Sequence, residues 1–168
     1  MRFTTLEAIF RALNAAGARY LVVGGVAVNA HGYQRLTNDL DICLKLDSEN
    51  LRAGLDALAG LGYRPILPVS LHDFADADKR SEWITHRNLQ VFSLTSDRYP
   101  DATIDILAEV PFDFDEEYDR ALVSTIAGLT VRFVRIERLI AIKEPTGRAR
   151  DRDDVEHLRM ILEEGTNE

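Results

Sequence analysis

Leu6, Ile9, Phe10 and Leu13 recur at helical spacing, and apolar residues three and four apart mark a helix with one buried face. Thr4 followed by Glu7 has capping-box spacing ahead of that stripe, and Gly17 offers a left-handed stop. The run YLVV at residues 20–23 is apolar and rich in β-branched side chains. It predicts a strand, followed by a tight turn at Gly24-Gly25 and a short helix over VAVNAH. Residues 39–45 (DLDICLK) alternate strictly. Leu40, Ile42 and Leu44 therefore share one face of a strand, and Asp39, Asp41 and Cys43 the other.

Further on, Ser48 is placed to cap a helix whose buried stripe is Leu51, Leu55 and Leu58, with Gly60 or Gly62 ending it. Residues 65–88 carry Pro65, Pro68, His72 and Trp83 without a clear period, and predict a loop with some helix. Residues 89–94 and 102–107 predict two strands joined by a turn, and VSTI with LTVRFV a hairpin around Ala127-Gly128. ERLIAIK predicts a helix halted by Pro145, and residues 151–164 a final helix with Val155, Leu158 and Leu162 inward. This order describes one α+β domain with a mixed sheet of about five strands flanked by helices.

Composition narrows the function. The chain of 168 residues is 46% hydrophobic and 29% charged, the proportions of an ordinary globular protein. Its one cysteine, Cys43, cannot form an internal disulfide, and the four histidines are too scattered to suggest a zinc site. No apolar stretch reaches membrane-spanning length, so a cytoplasmic protein without membrane contact is expected. The net charge of -8 argues against a general nucleic-acid-binding surface. Seven basic and three acidic residues between Arg132 and Arg152 nevertheless leave a local excess of +4, where an anionic ligand could be met. The five carboxylates of residues 111–119 read as a solvated loop or helix edge.

Three carboxylates carry the candidate chemistry. Asp39 and Asp41 leave one strand face with about 6.6 Å between their Cα atoms. Asp105, between Ile104 and Ile106, points away from the apolar side of its own strand. If the two strands are neighbours, the three anions share a patch that is costly without a cation, and an all-oxygen set suits magnesium. Gly24-Gly25 allows backbone N–H groups to approach an anion, although neither the G-x-G-x-x-G nor the Gly-Lys-Ser/Thr pattern is present. Lys143, ending an apolar helix, could neutralise a triphosphate or simply satisfy the helix dipole. Arg35 could hold phosphate or pair with Asp39. Asp151 reads as an N-cap, Asp154 as an anchor for Arg148 or Arg150, His31 as a capping or packing residue, and Trp83 and Tyr33 as buried rings or stacking surfaces for a base.

In sequence order, residues 24–42 (GGVAVNAHGYQRLTNDLDI), 103–107 (TIDIL) and 138–158 (RLIAIKEPTGRARDRDDVEHL) resemble the nucleotidyltransferases that share the polymerase beta catalytic core. Within that superfamily the chain is most similar to the AbiE-type toxin group, whose pattern is Gly-Gly, Arg-x-Thr-x-Asp-x-Asp, a later Asp, and a Lys before an Asp-rich helix. Gly24, Gly25, Arg35, Thr37, Asp39, Asp41, Asp105, Lys143, Asp151 and Asp154 fall at matching positions. The broader superfamily often has Gly-Ser where this chain has Gly24-Gly25, which leaves phosphate binding to backbone donors.

The resemblance implies a polymerase beta-like nucleotidyltransferase fold over residues 1–168, with a disordered tail from about residue 165. It implies transfer of an NMP from an NTP to a hydroxyl, with two Mg²⁺ ions (or Mn²⁺) held by Asp39, Asp41 and Asp105. Gly24, Gly25, Arg35, Thr37 and Lys143 are then the nucleotide-binding set. The expected acceptors are, in order, RNA such as a tRNA 3′ end, a protein hydroxyl and a small molecule. A toxin role with an antitoxin-like partner follows from the AbiE likeness. The alternative is a non-catalytic nucleotide-binding or antitoxin-like regulatory module of the same fold.

Overall fold

The computed structural model describes residues 1–165, so the expected tail lies largely outside the described residues. Seven strands form one mixed sheet in the order β3-β4-β5-β2-β1-β7-β6. They are β1 (Tyr20–Val22), β2 (Asp39–Leu44), β3 (Arg64–Pro65), β4 (Val91–Thr95), β5 (Thr103–Leu107), β6 (Leu122–Ile126) and β7 (Leu129–Phe133). The central β2 runs parallel to β5 and antiparallel to β1. The helices are α1 (Phe3–Ala15), α2 (Gly24–Ala30), α3 (Ser48–Gly60), α4 (Ala77–Arg87), α5 (Phe114–Arg120), α6 (Ile136–Lys143) and α7 (Ala149–Gly165). No helix among the described residues is long and apolar enough to cross a membrane.

The α+β expectation holds, with seven strands in place of about five. The two-residue β3 is too short to show any alternation, and its proline sits on an edge strand, where a missing N–H is tolerated. Residues 65–88 are more ordered than expected: a 3₁₀ turn (Leu71–Ala75) leads into α4, whose first N–H groups donate to the Asp76 carboxylate. The β6–β7 hairpin turns at Ala127-Gly128, both with positive φ, the backbone that matches strand twist.

Burial along β2 explains how the sheet prepares a site. Leu40, Ile42 and Leu44 are fully buried, and α3 packs so closely on them that a Cβ at Gly54 would stand 3.0 Å from Leu44. On the opposite face Asp39 is exposed, Asp41 half-buried and Cys43 fully buried. That face slopes from solvent into the core, which also pushes the Cys43 thiol pKa up.

A distant carboxylate displaces the expected cap of α1, and a sequence neighbour displaces that of α3. α1 starts at Phe3 without a Thr4 cap, because Asp101 accepts from the Arg2 N–H at 2.7 Å and from the Thr5 hydroxyl at 3.1 Å. Asp47 rather than Ser48 caps α3, accepting from Asn50 N–H at 2.8 Å. The acidic segment is not wholly solvated either: it forms α5, and Glu117 is completely buried. Glu117 accepts from the Arg135 backbone N–H at 2.7 Å, the Arg135 guanidinium at 2.8 Å and Arg138 at 3.4 Å.

Burial raises the Glu117 pKa, but the Arg135 hydrogen bonds outweigh it and the net shift is downward. A depressed carboxylate contributes stability above its unfolded pKa and loses it as pH falls through the folded value. Glu117→Gln leaves two arginines without their buried counter-charge and should cost about 3 kcal/mol at pH 7. Urea unfolding of wild type and variant checks this, with the difference shrinking below about pH 4.

Candidate active site

The register places Asp41 opposite Asp105 and Asp39 opposite Thr103 on neighbouring parallel strands, which lie about 4.8 Å apart. The Asp41 and Asp105 carboxylates therefore leave the sheet side by side, as the alternation of both segments predicts. Burial, then repulsion from Asp105 and Asp39, pushes the Asp41 pKa up to about 6, against the opposing pull of Lys143 and the Gly25 N–H. Burial also raises Asp105, partly offset by a hydrogen bond from Ser93. Its Oδ1 is buried without a hydrogen-bond partner.

The glycine turn is shaped by Asp41 itself. Gly24 has φ +63, and a Cβ there would stand 1.9 Å from Asp41 Oδ2. A side chain at this position would strain the backbone and expel the carboxylate. Gly25 is closely packed as well, though without a positive φ: its Cβ would meet Thr37 Oγ1 at 2.8 Å and Arg35 Nη1 at 3.0 Å. The pair thus brings the start of α2 against Asp41, Thr37 and Arg35. Thr37 in turn donates to the Asp39 carbonyl at 3.2 Å, holding the entry to β2.

Behind this floor lies a buried cluster of two cations and two anions. Arg35 donates to Asp154 through Nε at 2.6 Å and Nη2 at 2.8 Å, and Asp154 is fully buried. Lys143 Nζ lies 2.8 Å from both Asp151 and Asp154, and the Thr146 hydroxyl donates to Asp151 at 2.7 Å. These contacts correct three expectations: Arg35 pairs with Asp154 and not Asp39, Asp154 anchors Arg35 and Lys143 and not Arg148 or Arg150, and Asp151 lies inside α7 and not at its cap. The reason is shared. Residues more than 100 apart along the chain meet here, and a buried carboxylate takes the cations that are buried with it.

All eight expected residues, Gly24, Gly25, Arg35, Thr37, Asp39, Asp41, Asp105 and Lys143, line one cleft of about 660 Å³. Arg148 and Arg150 line it too. Three other residues do not join it. His31 Nε2 meets the Val134 carbonyl at 2.8 Å, Tyr33 stacks on His157 with ring centroids 3.8 Å apart, and Trp83 packs against Phe92 at 6.0 Å. Sequence reasoning missed Ser93, Glu109 and the segment 88–91. Ser93 was within reach, because Phe92 and Leu94 flank it as core residues and its register partner is Asp105.

No group of three or more His, Cys, Asp or Glu side chains among the described residues is gathered closely enough to hold a metal ion. The carboxylates share a face without closing around a centre. Magnesium suits such an open set, since it keeps waters and is held by one or two carboxylates together with substrate phosphates. The partnerless Asp105 oxygen and the raised Asp41 pKa both fit a cation at this face.

No protein-family model and no curated protein matches the sequence. Solved structures do resemble the fold. The lincosamide antibiotic adenylyltransferase LnuA, solved with lincomycin bound, aligns with TM-score 0.62 at 16% identity, over 93% of this chain and 95% of that one. The antibiotic-resistance factor ANT(2″)-Ia, in complex with adenylyl-2″-tobramycin, aligns with TM-score 0.58 at 16% identity over 95% and 88%. A nucleotidyltransferase-like antigenic protein from Paracoccidioides brasiliensis aligns with TM-score 0.55 at 14% identity over 95% and 74%. The chain has the fold of these nucleotidyltransferases.

Carboxylates held together against their repulsion weaken the metal-free protein. Asp41→Asn removes one charge from the patch and should raise the melting temperature in EDTA by several degrees at pH 7.5. A carboxyl with a raised folded pKa loses stability as pH rises through that value, here about 6. The advantage of the variant should therefore shrink between pH 7 and pH 4.5, as scanning calorimetry across that range can measure.

Proposed function

We propose that the protein is a magnesium-dependent nucleotidyltransferase that moves an NMP from an NTP to a hydroxyl acceptor. The observation that carries this reading is the half-buried pair of Asp41 and Asp105, side by side in a cleft whose other wall holds Lys143 and Arg35. A non-catalytic nucleotide-binding module would be served by the cations alone. It has no use for a buried carboxylate oxygen without a partner. Magnesium held by Asp39, Asp41 and Asp105, with Mn²⁺ as a substitute, would supply charge neutralisation at the transferring phosphoryl group and acidify the acceptor hydroxyl.

The chain itself binds and orients. Lys143 engages two carboxylates, which leaves its three-donor ammonium capacity for one more acceptor, a phosphate oxygen of the NTP. Arg35 is locked in place by Asp154, and its Nη1 side faces the glycine turn. The close approach at Gly24-Gly25 brings backbone, rather than side chain, up to the triphosphate. Asp105, which lines the cleft beside Asp41, orients the acceptor hydroxyl in line with the leaving pyrophosphate.

A small hydroxyl compound is the acceptor class best supported. LnuA and ANT(2″)-Ia were solved with small-molecule antibiotics, and this chain matches nearly the whole length of the LnuA chain. The case for RNA weakens, because Arg135, Arg138 and Lys143 of the basic stretch are engaged by Glu117, Asp151 and Asp154. The AbiE-type toxin role, with an antitoxin-like partner, is the second reading and is carried by the Arg-x-Thr-x-Asp-x-Asp resemblance.

The test is label transfer from each NTP with Mg²⁺ to a panel of hydroxyl compounds, proteins and total RNA. Asp105→Asn should keep Mg·NTP binding by thermal shift and reduce transfer about 1000-fold, equivalent to about 4 kcal/mol in the barrier. Asp41→Asn should lose both. Wild-type transfer in Asp105→Asn would overturn the role assigned to it, and absence of transfer to every acceptor class would overturn the proposal.

A further inference from the structure

A second cavity, of about 510 Å³, adjoins the catalytic cleft. The segment 88–91 lines both. Leu67, Val69, Trp83, Leu89 and Val91 make its wall mostly apolar, and Arg87 is the one formally charged residue among those lining it. Leu67 is 45% exposed and Val91 37%, so apolar surface stands open to solvent beside a polar reaction centre. At the junction Asn88 ends α4 in the left-handed conformation.

The sheet order separates two kinds of surface. The glycine turn follows β1, to one side of β2, and the buried cluster that holds Arg35 and Lys143 packs on the same turn. Asp105 lies on β5 and the second cavity borders β4, both on the other side of β2. Phosphoryl transfer needs attacking and leaving oxygens roughly in line. With the triphosphate drawn to the cationic side, the attacking hydroxyl arrives past Asp105 from the β4 side.

We propose that this cavity is the acceptor subsite and takes a neutral or singly charged small molecule with an apolar ring or chain carrying a hydroxyl. The assignment rests on the nucleotidyltransferase reading and deepens it. A polycationic acceptor such as the tobramycin of the ANT(2″)-Ia complex would be drawn to carboxylates. The residues lining this cavity include none, and Arg87 would repel it. The apolar body of the acceptor packs against the exposed Leu67 and Val91, with the largely buried Trp83 ring in the cavity wall, while the Gln90 and Asn88 amides meet its polar rim.

Trp83 is the only tryptophan in the chain, so its fluorescence reports this cavity directly and without turnover. Titration with phenyl β-D-glucopyranoside, a neutral aromatic polyol, should give a saturable change in wild type. Leu67→Glu places a carboxylate on the exposed wall and should weaken binding at least tenfold, while thermal stabilisation by Mg·ATP is retained. Tobramycin should produce no saturable change. The proposal is overturned if wild type shows no saturable response, if Leu67→Glu binds as well as wild type, or if tobramycin saturates the same signal. Competition by Mg·ATP would also overturn it, assigning the cavity to the nucleobase. Failure of Mg·ATP to stabilise wild type would instead count against the catalytic reading, since the tryptophan signal does not depend on nucleotide.

Discussion

Two like charges held on adjacent parallel strands are the constraint around which this molecule is organised. Asp41 and Asp105 are register partners in the middle of the sheet, and their repulsion adds to the cost of partial burial. The sheet can impose that arrangement because the reverse face of β2 is fully buried in the core. A strand anchored by Leu40, Ile42 and Leu44 cannot slip by one residue without turning that core to solvent. The hydrophobic face thus fixes the position of the charged one.

The rest of the cleft accommodates those charges. Gly24 adopts a positive φ so that backbone can lie against the Asp41 carboxylate. Ser93, across the strand pair from Asp105, supplies a partial hydrogen-bond partner. Lys143 lowers the Asp41 pKa while being neutralised by Asp151 and Asp154. The formal charges of Arg35, Lys143, Asp151 and Asp154 sum to zero, so the cluster can be buried as a unit. It also ties α7 to the turn before β2, which makes the last helix of the chain a structural support for its first motif.

A similar logic operates at Glu117, whose segment reads as solvent-facing by composition. One carboxylate of five is fully buried and holds the approach to α6 through Arg135 and Arg138. The start of α1 is fixed by the distant Asp101, and the end of α6 by Asp151 and Asp154 of the following helix. Much of the apparent charge excess of the C-terminal third is thus taken up inside the fold, and what reaches the cleft mouth is chiefly Arg148 and Arg150.

Period-2 alternation at residues 39–45 and 103–107 was enough to place three aspartates on strand faces, and the 3.6-residue stripes located the helices, because burial on one face imposes those periods whatever the partner. The motif order brought together all eight residues that now line the cleft. Local signals put the cap of α3 one residue late and misread Asp151 as a cap, and they failed outright at the start of α1 and at the partners of Arg35 and Asp154. A hydrogen bond or ion pair is made with whatever lies nearest in space, and those partners are as much as 119 residues away along the chain. The second cavity had no sequence signature either, since it exists only where the loop before α4, the end of that helix and the start of β4 come together. Residue type and spacing determined which groups share the cleft; only tertiary packing decided which charges are neutralised, which oxygen is left without a partner and where an apolar cavity opens beside the cleft.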